Sequence, residues 1–176
     1  KTRARAAAYE LSPGAEQLLS DLECPACRSF HAGVSRLMRE RPGKVSMLYV
    51  PFPLAQHRFA ASAARGAECA AQHQRLDAWL DVVYRKQDSL GLKSWGAFAA
   101  EAGLTDTAVI ARCASSPARV ARIDAGRAWG QALDVTGTPT VIVNGWRLPG
   151  TPTDAELHRI VDELLAGRPP FPLPNS

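Results

Sequence analysis

Two cysteines three positions apart are the residues of this chain best able to do chemistry. The segment Cys24-Pro25-Ala26-Cys27 can close a disulfide on itself, and such a dithiol can exchange with a thiol or disulfide of another protein. The same spacing also occurs in zinc sites. The motif therefore predicts either redox chemistry or metal binding.

The residues around this motif predict a strand, a helix and a second strand. Residues 15–20 predict a short buried strand, and apolar residues after Cys27 recur at helical spacing until the helix ends near Arg41. Residues 44–50 predict the next strand. Cys24 is therefore expected at a helix N-terminus, where free backbone N–H groups and the helix dipole favour a thiolate. Cys24 is then the nucleophile, and Cys27 resolves the mixed disulfide.

The residues next to the cysteines bear on how the thiolate is stabilised. Pro25 suits the first turn of a helix because it has no N–H, and Ala26 is a good helix former. Ala26 carries no charge, so most of the stabilisation is left to the helix terminus. Glu23 has two interpretations, an exposed loop acid or a proton acceptor for Cys27.

The middle of the chain predicts several helices. Residues 58–129 are rich in alanine and contain no run typical of a strand. Ser94 and Thr105 are predicted helix N-caps, as is Ser116, because Pro117 would then occupy the first helical position.

The C-terminal part predicts a hairpin followed by a helix. Residues 140–143 form an apolar strand pattern, and Asn144-Gly145 is typical of a tight hairpin turn leading into a partner strand over 146–148. Thr153 and Glu156 have the spacing of a capping box at the start of a last helix, which ends before Gly167.

Composition and charge exclude several other functions. The chain has 176 residues and a net charge of +4, with basic residues spread along it, so nucleic-acid binding is not expected. No apolar run reaches the roughly 18 residues needed to span a bilayer. The start of the chain lacks the pattern of a signal peptide, and we expect an exported protein whose targeting segment is absent from this chain.

The other two cysteines, Cys69 and Cys113, are isolated. An even cysteine count with one close pair favours a working dithiol plus a structural disulfide, which is typical of an oxidising compartment. Two free buried thiols are the alternative. A zinc site built from all four cysteines is disfavoured because structural zinc sites usually draw on two close pairs, so no metal is predicted.

Two segments resemble one known family. Residues 21–31 (DLECPACRSFH) are similar to the active-site stretch of the DsbA-like thiol–disulfide oxidoreductases of the thioredoxin superfamily, and residues 135–145 (VTGTPTVIVNG) resemble their second signature. The resemblance implies an α/β thioredoxin fold, β-α-β … β-β-α, with a central mixed sheet and an inserted helical subdomain. It also implies that Pro139 is a cis proline and that Thr138 and Pro139 shape a groove for an extended substrate segment.

The resemblance also implies a domain organisation. The thioredoxin-fold domain would comprise residues 15–57 and 130–167, and the helical subdomain residues 58–129. Residues 1–14 would be an N-terminal tail and residues 168–176 a proline-rich tail.

The function implied is the donation of the Cys24–Cys27 disulfide to cysteine-containing exported proteins, outside the cytoplasm. No cofactor beyond that disulfide is expected. A membrane redox partner of the DsbB or vitamin K epoxide reductase type would reoxidise the site, and a monomer is expected. Pro25-Ala26 differs from the Pro-His of the best-known DsbA type, so strong oxidising power does not carry over.

Two other functions remain open from the sequence. One is a disulfide reductase or isomerase of the same fold, and the other is a peptide-binding or chaperone module in which the cysteines are only structural. His31, which follows the motif along the same helix, is predicted to pack rather than to act in the reaction.

Overall fold

A computed structural model describes residues 15–171 of the chain. Four strands form one mixed sheet in the order β2-β1-β3-β4. A 3₁₀ turn, Gln87–Ser89, lies between α3 and α4. The elements in chain order are β1 (Ala15–Ser20), α1 (Pro25–Glu40), β2 (Ser46–Pro51), α2 (Ala60–Gln72), α3 (Leu76–Arg85), α4 (Trp95–Glu101), α5 (Thr107–Ser115), α6 (Ala121–Ala132), β3 (Thr140–Val143), β4 (Trp146–Arg147) and α7 (Asp154–Leu165).

Contacts along the chain divide it into two units. Within the described part, the first unit comprises residues 15–18, 30–49 and 140–171, and the second comprises residues 19–29 and 50–139. The predicted domains instead grouped residues 50–57 with the sheet, and those boundaries stay a prediction. The predicted N-terminal tail and residues 172–176 lie outside the described residues.

The first unit has one apolar core. The predicted face of α1 is confirmed, because Val34 and Leu37 are fully buried and Phe30 is nearly so. Residues of β3 and α7 complete this core, which removes their side chains from water and so stabilises the unit. Its buried members are Leu18, Phe30, Val34, Leu37, Val45, Val141, Val143, Leu148, Leu157, Ile160 and Val161.

The predicted hairpin and the last helix are also confirmed. Asn144 and Gly145 both have positive φ, as a type I′ turn requires, and β3 pairs antiparallel with β4. Thr153 caps α7 through a capping box: its Oγ1 accepts from the Glu156 backbone N–H, and the Glu156 carboxylate accepts from the Thr153 N–H at 2.8 Å.

The second unit contains α2 to α6. A disulfide joins Cys69 on α2 to Cys113 on α5. Helix α2 also lies close to α3, because Gly66 faces the fully buried ring of Trp79 and any side chain at position 66 would overlap that ring. The helices of this unit are thus held by one covalent link and by tight packing of small residues against an aromatic ring.

Two predicted helix starts are wrong. Ser94 does cap α4, but α5 is capped by Asp106 rather than by Thr105, since the Asp106 carboxylate accepts from the Val109 N–H. Ser116 ends α5 instead of starting a helix, and its hydroxyl accepts from the Ala118 N–H within the turn. The proline after Ser116 marks a helix end here, because the residue before proline disfavours the helical conformation.

Candidate active site

Cys24 and Cys27 lie at the start of α1. Helix α1 begins at Pro25, directly after Cys24, and the Cys24 carbonyl accepts the first helical hydrogen bond from Arg28 N–H at 3.1 Å. Cys24 is 7% exposed and Cys27 is fully buried. Cys24, the more exposed of the two cysteines, therefore lies at the helix terminus. Cys27 lies nearly one helical turn further along the chain and is buried.

The two thiols differ strongly in acidity. The pKa of Cys24 is lowered to about 5, chiefly by a hydrogen bond from Cys27, and this outweighs the opposing effect of burial. The Thr138 side chain and the backbone N–H groups of Cys27 and Ala26 lower it further. Burial, and then the bond to Cys24, raise the pKa of Cys27. Cys24 is therefore a thiolate near neutral pH, while Cys27 keeps its proton.

Thr138 and Pro139 lie beside the first cysteine. The Thr138–Pro139 peptide bond is cis, and in its thiol form the Cys24 sulfur donates to the Thr138 carbonyl at 3.3 Å. The segment before β3 is therefore in direct contact with the reactive sulfur, although 114 positions separate the two residues in sequence.

A buried carboxylate organises the loop before the motif. Asp21 is 1% exposed, and its carboxylate accepts from the backbone N–H groups of Glu23 and Leu54, each at 2.7 Å. It also bonds His57 Nδ1 at 2.8 Å. The Asp21 carbonyl accepts from the Cys24 N–H at 3.1 Å. Asp21 thus ties the active-site loop to the segment that follows β2.

His57 has a raised pKa. Burial acts to lower this pKa, but the hydrogen bond that His57 donates to Asp21 and the negative charges of Asp21, Glu23 and Cys24 together prevail. Neither Asp21 nor His57 is among the site residues that the sequence predicts. The only sequence signals for them are an acidic residue directly after the first strand and a histidine after a proline-rich loop, and neither signal is specific.

Glu23 is half-buried rather than an exposed loop acid. Its carboxylate accepts from the Phe59 backbone N–H at 2.5 Å, so it helps to hold the start of α2 next to the active-site loop. A role for Glu23 in moving a proton to or from Cys27 stays a prediction.

Two further side chains brace the active-site loop from the helices. Gln87 is buried, and its amide donates to the carbonyls of Leu22 and Cys24 at 2.9 and 3.0 Å. Ser20 and Tyr84 share a buried hydrogen bond between their hydroxyls. Sequence reasoning misses both because each partner lies more than 60 positions from the loop and carries no motif.

His31 lies on α1 within the first unit. It is 6% exposed, and its Nε2 lies 3.4 Å from the Ser35 hydroxyl one turn further along. In position it is a buried helical residue, as predicted.

Metal binding has no support in the described residues. Across residues 15–171, no group of three or more histidine, cysteine or acidic residues is arranged to hold a metal ion. The Cys69–Cys113 disulfide also removes those two cysteines from any shared site with Cys24 and Cys27. In the same range no helix is long and apolar enough to cross a membrane.

Comparison with known proteins identifies the class. A family model described as thioredoxin matches residues 17–163. A thioredoxin fold carrying a helix-terminal cysteine pair beside a cis proline defines a thiol–disulfide oxidoreductase of the thioredoxin type. The chain belongs to the thioredoxin family.

Several solved structures share the fold. A thioredoxin-like oxidoreductase from Silicibacter pomeroyi DSS-3 is 25% identical, with 86% of each chain covered and a TM-score of 0.65. Oxidised BdbD from Bacillus subtilis is 16% identical, with 87% and 88% covered and a TM-score of 0.73. DsbA from Chlamydia trachomatis is 17% identical, with 94% and 95% covered and a TM-score of 0.72. The predicted thioredoxin fold and the resemblance to DsbA-like proteins are confirmed.

One curated relative is a much longer protein. The chain is 35% identical over 132 residues to the Na(+)/H(+) antiporter NhaA of Herminiimonas arsenicoxydans, which is 74% of this chain and 21% of the relative. The chain thus spans about a fifth of the length of the curated relative that it matches.

Proposed function

We propose that this protein is a dithiol oxidase that donates the Cys24–Cys27 disulfide to cysteine-containing exported proteins. The observation that carries the proposal is the placement of Cys24 at the start of α1, with its sulfur against the Thr138 carbonyl at 3.3 Å and with Cys27 buried. The lowered pKa of Cys24 supports it. A stabilised thiolate favours the reduced form of the dithiol, and a dithiol whose reduced form is stable is a strong oxidant when it is a disulfide.

The exchange proceeds in two displacements. A substrate thiolate attacks the Cys24 sulfur, the Cys24–Cys27 bond breaks, and Cys27 leaves and takes up a proton. A second substrate thiolate then attacks the substrate sulfur of the mixed disulfide and releases Cys24 as its thiolate. The substrate loses two electrons and gains a disulfide, and the protein gains those electrons as a dithiol. The low pKa of Cys24 makes it a good leaving group in the second step.

Thr138 and Pro139 supply the surface on which an extended substrate segment would lie. The contact between the Thr138 carbonyl and the Cys24 sulfur supports this role, since a segment bound there by strand addition would present its own cysteine to the reactive atom. The half-buried Glu23 would accept or return the Cys27 proton.

Location and partners follow from the oxidase role. A structural disulfide such as Cys69–Cys113 persists in oxidising compartments, which supports an extracytoplasmic location. One structural neighbour, at 20% identity, is described as a periplasmic thioredoxin-like protein from Salmonella enterica. A membrane protein of the DsbB or vitamin K epoxide reductase type would reoxidise the dithiol, and the protein would act as a monomer without a further cofactor.

Ion transport is not part of the proposed function. The match to the antiporter covers about a fifth of that protein, and the matched region here is a thioredoxin-family chain. The transport activity of the longer relative is therefore not transferred to this chain.

The reduction potential tests the proposal. The nucleophilic cysteine of thioredoxin has a pKa of about 7, whereas the pKa of Cys24 is about 5. At pH 7 this difference favours the reduced form of the dithiol by up to about 50-fold, which raises the reduction potential by about 50 mV. Equilibration with a glutathione buffer should therefore give a potential less negative than the roughly −270 mV of thioredoxin, by about 50 mV.

A value at or below that of thioredoxin would refute the oxidase and leave a reductase. A Cys27→Ser variant should also accumulate covalently linked to client proteins, whereas Cys24→Ser should not. If activity survived in Cys24→Ser, the cysteines would be structural and the protein a binding module.

A further inference from the structure

The surroundings of Cys24 pose a problem of charge. The dipeptide between the cysteines, Pro25-Ala26, carries no charged side chain. The loop before it carries two carboxylates, Asp21 and Glu23, within three residues of the sulfur, and nearby negative charge disfavours a thiolate. Any positive charge that adds to the hydrogen bonds on the Cys24 sulfur therefore has to come from outside the motif.

His57 meets the geometric requirements for that charge. The buried Asp21 carboxylate binds His57 Nδ1, while the backbone N–H groups of Glu23 and Leu54 fix the carboxylate itself. This arrangement makes Nδ1 the donor and turns Nε2 away from Asp21. The His57 side chain is 23% exposed, so it can still exchange protons with water.

Asp21 bonds His57 directly, and Glu23 and Cys24 lie in the same loop as Asp21; the negative charges of all three raise the pKa of His57. Arg58, the next residue, is exposed and stacks over the Phe59 ring. On α1 and the 3₁₀ turn, Arg28 and Asp88 pair with each other at 3.0 Å.

We propose that His57, held by the buried Asp21 carboxylate, is the cation that stabilises the Cys24 thiolate, so that the loop after β2 supplies the charge that Pro25-Ala26 lacks. His57 is in this sense a positioning residue that acts through Cys24. The proposal deepens the dithiol-oxidase function and rests on it, since the stabilised thiolate is what makes the disulfide oxidising.

Linkage supports the proposal. The Cys24 thiolate raises the pKa of His57, and the same interaction, acting in reverse, lowers the pKa of Cys24. Two opposite unit charges about 10 Å apart near a protein surface change each other's pKa by about one unit. His57 therefore complements the Cys27 thiol and the helix N–H groups and does not replace them.

Three variants test the role of His57 in the reduced protein. Following thiolate absorbance against pH, His57→Gln should raise the pKa of Cys24 by about one unit, whereas His57→Lys should keep it near 5 because the charge is retained. His158→Gln is the matched control, since His158 also bonds a carboxylate, Glu40 at 2.7 Å, and also has a raised pKa. It should leave Cys24 unchanged.

The glutathione equilibrium adds a readout that a purely structural role would not move. His57→Gln should make the disulfide about tenfold less oxidising at pH 7, and the difference should vanish near pH 4, where the Cys24 thiol is protonated in both proteins. A Cys24 pKa unchanged by His57→Gln, or raised equally by His57→Lys, would overturn the proposal.

A second measurement does not depend on how those variants fold. In Cys24→Ser, which has no thiolate, NMR titration should show the pKa of His57 lower than in the reduced wild-type protein by the same amount. An unchanged His57 pKa would overturn the proposal. These titrations need no substrate. A wild-type reduction potential too negative for an oxidase would contradict the oxidase function, whereas unchanged pKa values of Cys24 and His57 in the variants would contradict the role of His57, so the two failures are distinguishable.

Discussion

Removing the Cys27 thiol is the most direct test of what makes Cys24 acidic. The hydrogen bond from Cys27 is the largest contribution to the low pKa of Cys24, and burial opposes it. A hydrogen bond to a charged group contributes about 1.5–3 kcal/mol, which corresponds to about one to two pKa units. Cys27→Ala should therefore raise the pKa of Cys24 from about 5 to about 6–7.

The assay is the pH dependence of Cys24 alkylation, which follows the thiolate fraction. At pH 5 about half of the wild-type Cys24 is ionised, and in Cys27→Ala the fraction should fall to about one tenth or less. Cys27→Ser is the matched variant, because its hydroxyl can still donate to the Cys24 sulfur. It should titrate closer to the wild type.

If the alanine and serine variants titrated at the same pH, the hydrogen bond from position 27 would not be the main cause of the low pKa. Stabilisation would then have to come from the helix terminus, Thr138 or His57. Far-ultraviolet circular dichroism of both variants would show whether the helices remain intact.

Two further predictions concern stability. Replacing Cys69 and Cys113 by serine should lower the free energy of unfolding by about 4 kcal/mol, the chain-entropy effect of a loop of this length, and leave the alkylation rate of Cys24 unchanged; an unchanged Tm would contradict this. Gln87→Ala should lower the free energy of unfolding by about 1–3 kcal/mol because it removes two buried hydrogen bonds, to the carbonyls of Leu22 and Cys24. The exposed Gln56→Ala should change the free energy of unfolding by less than about 0.5 kcal/mol in denaturant titrations. Equal effects of the two glutamine variants would refute the bracing role of Gln87.

Most of the fold could be predicted from the sequence because its signals are local. The hairpin depends on Asn144 and Gly145, two residue types that readily adopt the positive φ angles of the turn. The last helix depends on a capping box within four residues. The strand over Ala15–Ser20 is confirmed as well, and β2 begins at Ser46, slightly later than predicted.

The wrong helix starts reflect competition between neighbouring caps. Thr105 and Asp106 are both good N-cap residues, and the carboxylate of Asp106 is the one that reaches the free N–H of α5. A serine followed by a proline, such as Ser116-Pro117, occurs both at helix starts and at helix ends. The local sequence therefore does not show whether the helix precedes or follows this pair.

The cysteine pair was predictable, but its environment was not. Helical spacing alone places Cys24 at a helix start. Asp21 and His57 lie 36 positions apart in sequence, and only the tertiary fold brings them into contact. Gln87 reaches the same loop from more than 60 positions away. Such contacts depend on the tertiary fold, and a polar residue without a motif gives no sign of them in one sequence.

Ala26 has two separable parts. Its backbone N–H contributes to the low pKa of Cys24, while its side chain points into solvent and has no bonding role. Other side chains at position 26 can therefore be accommodated without disturbing buried packing, but a charged or polar one would alter the pKa of Cys24. A panel of residues at position 26 would yield a graded series of redox proteins on one scaffold, each with a different oxidising strength and all with the same helix and cis proline.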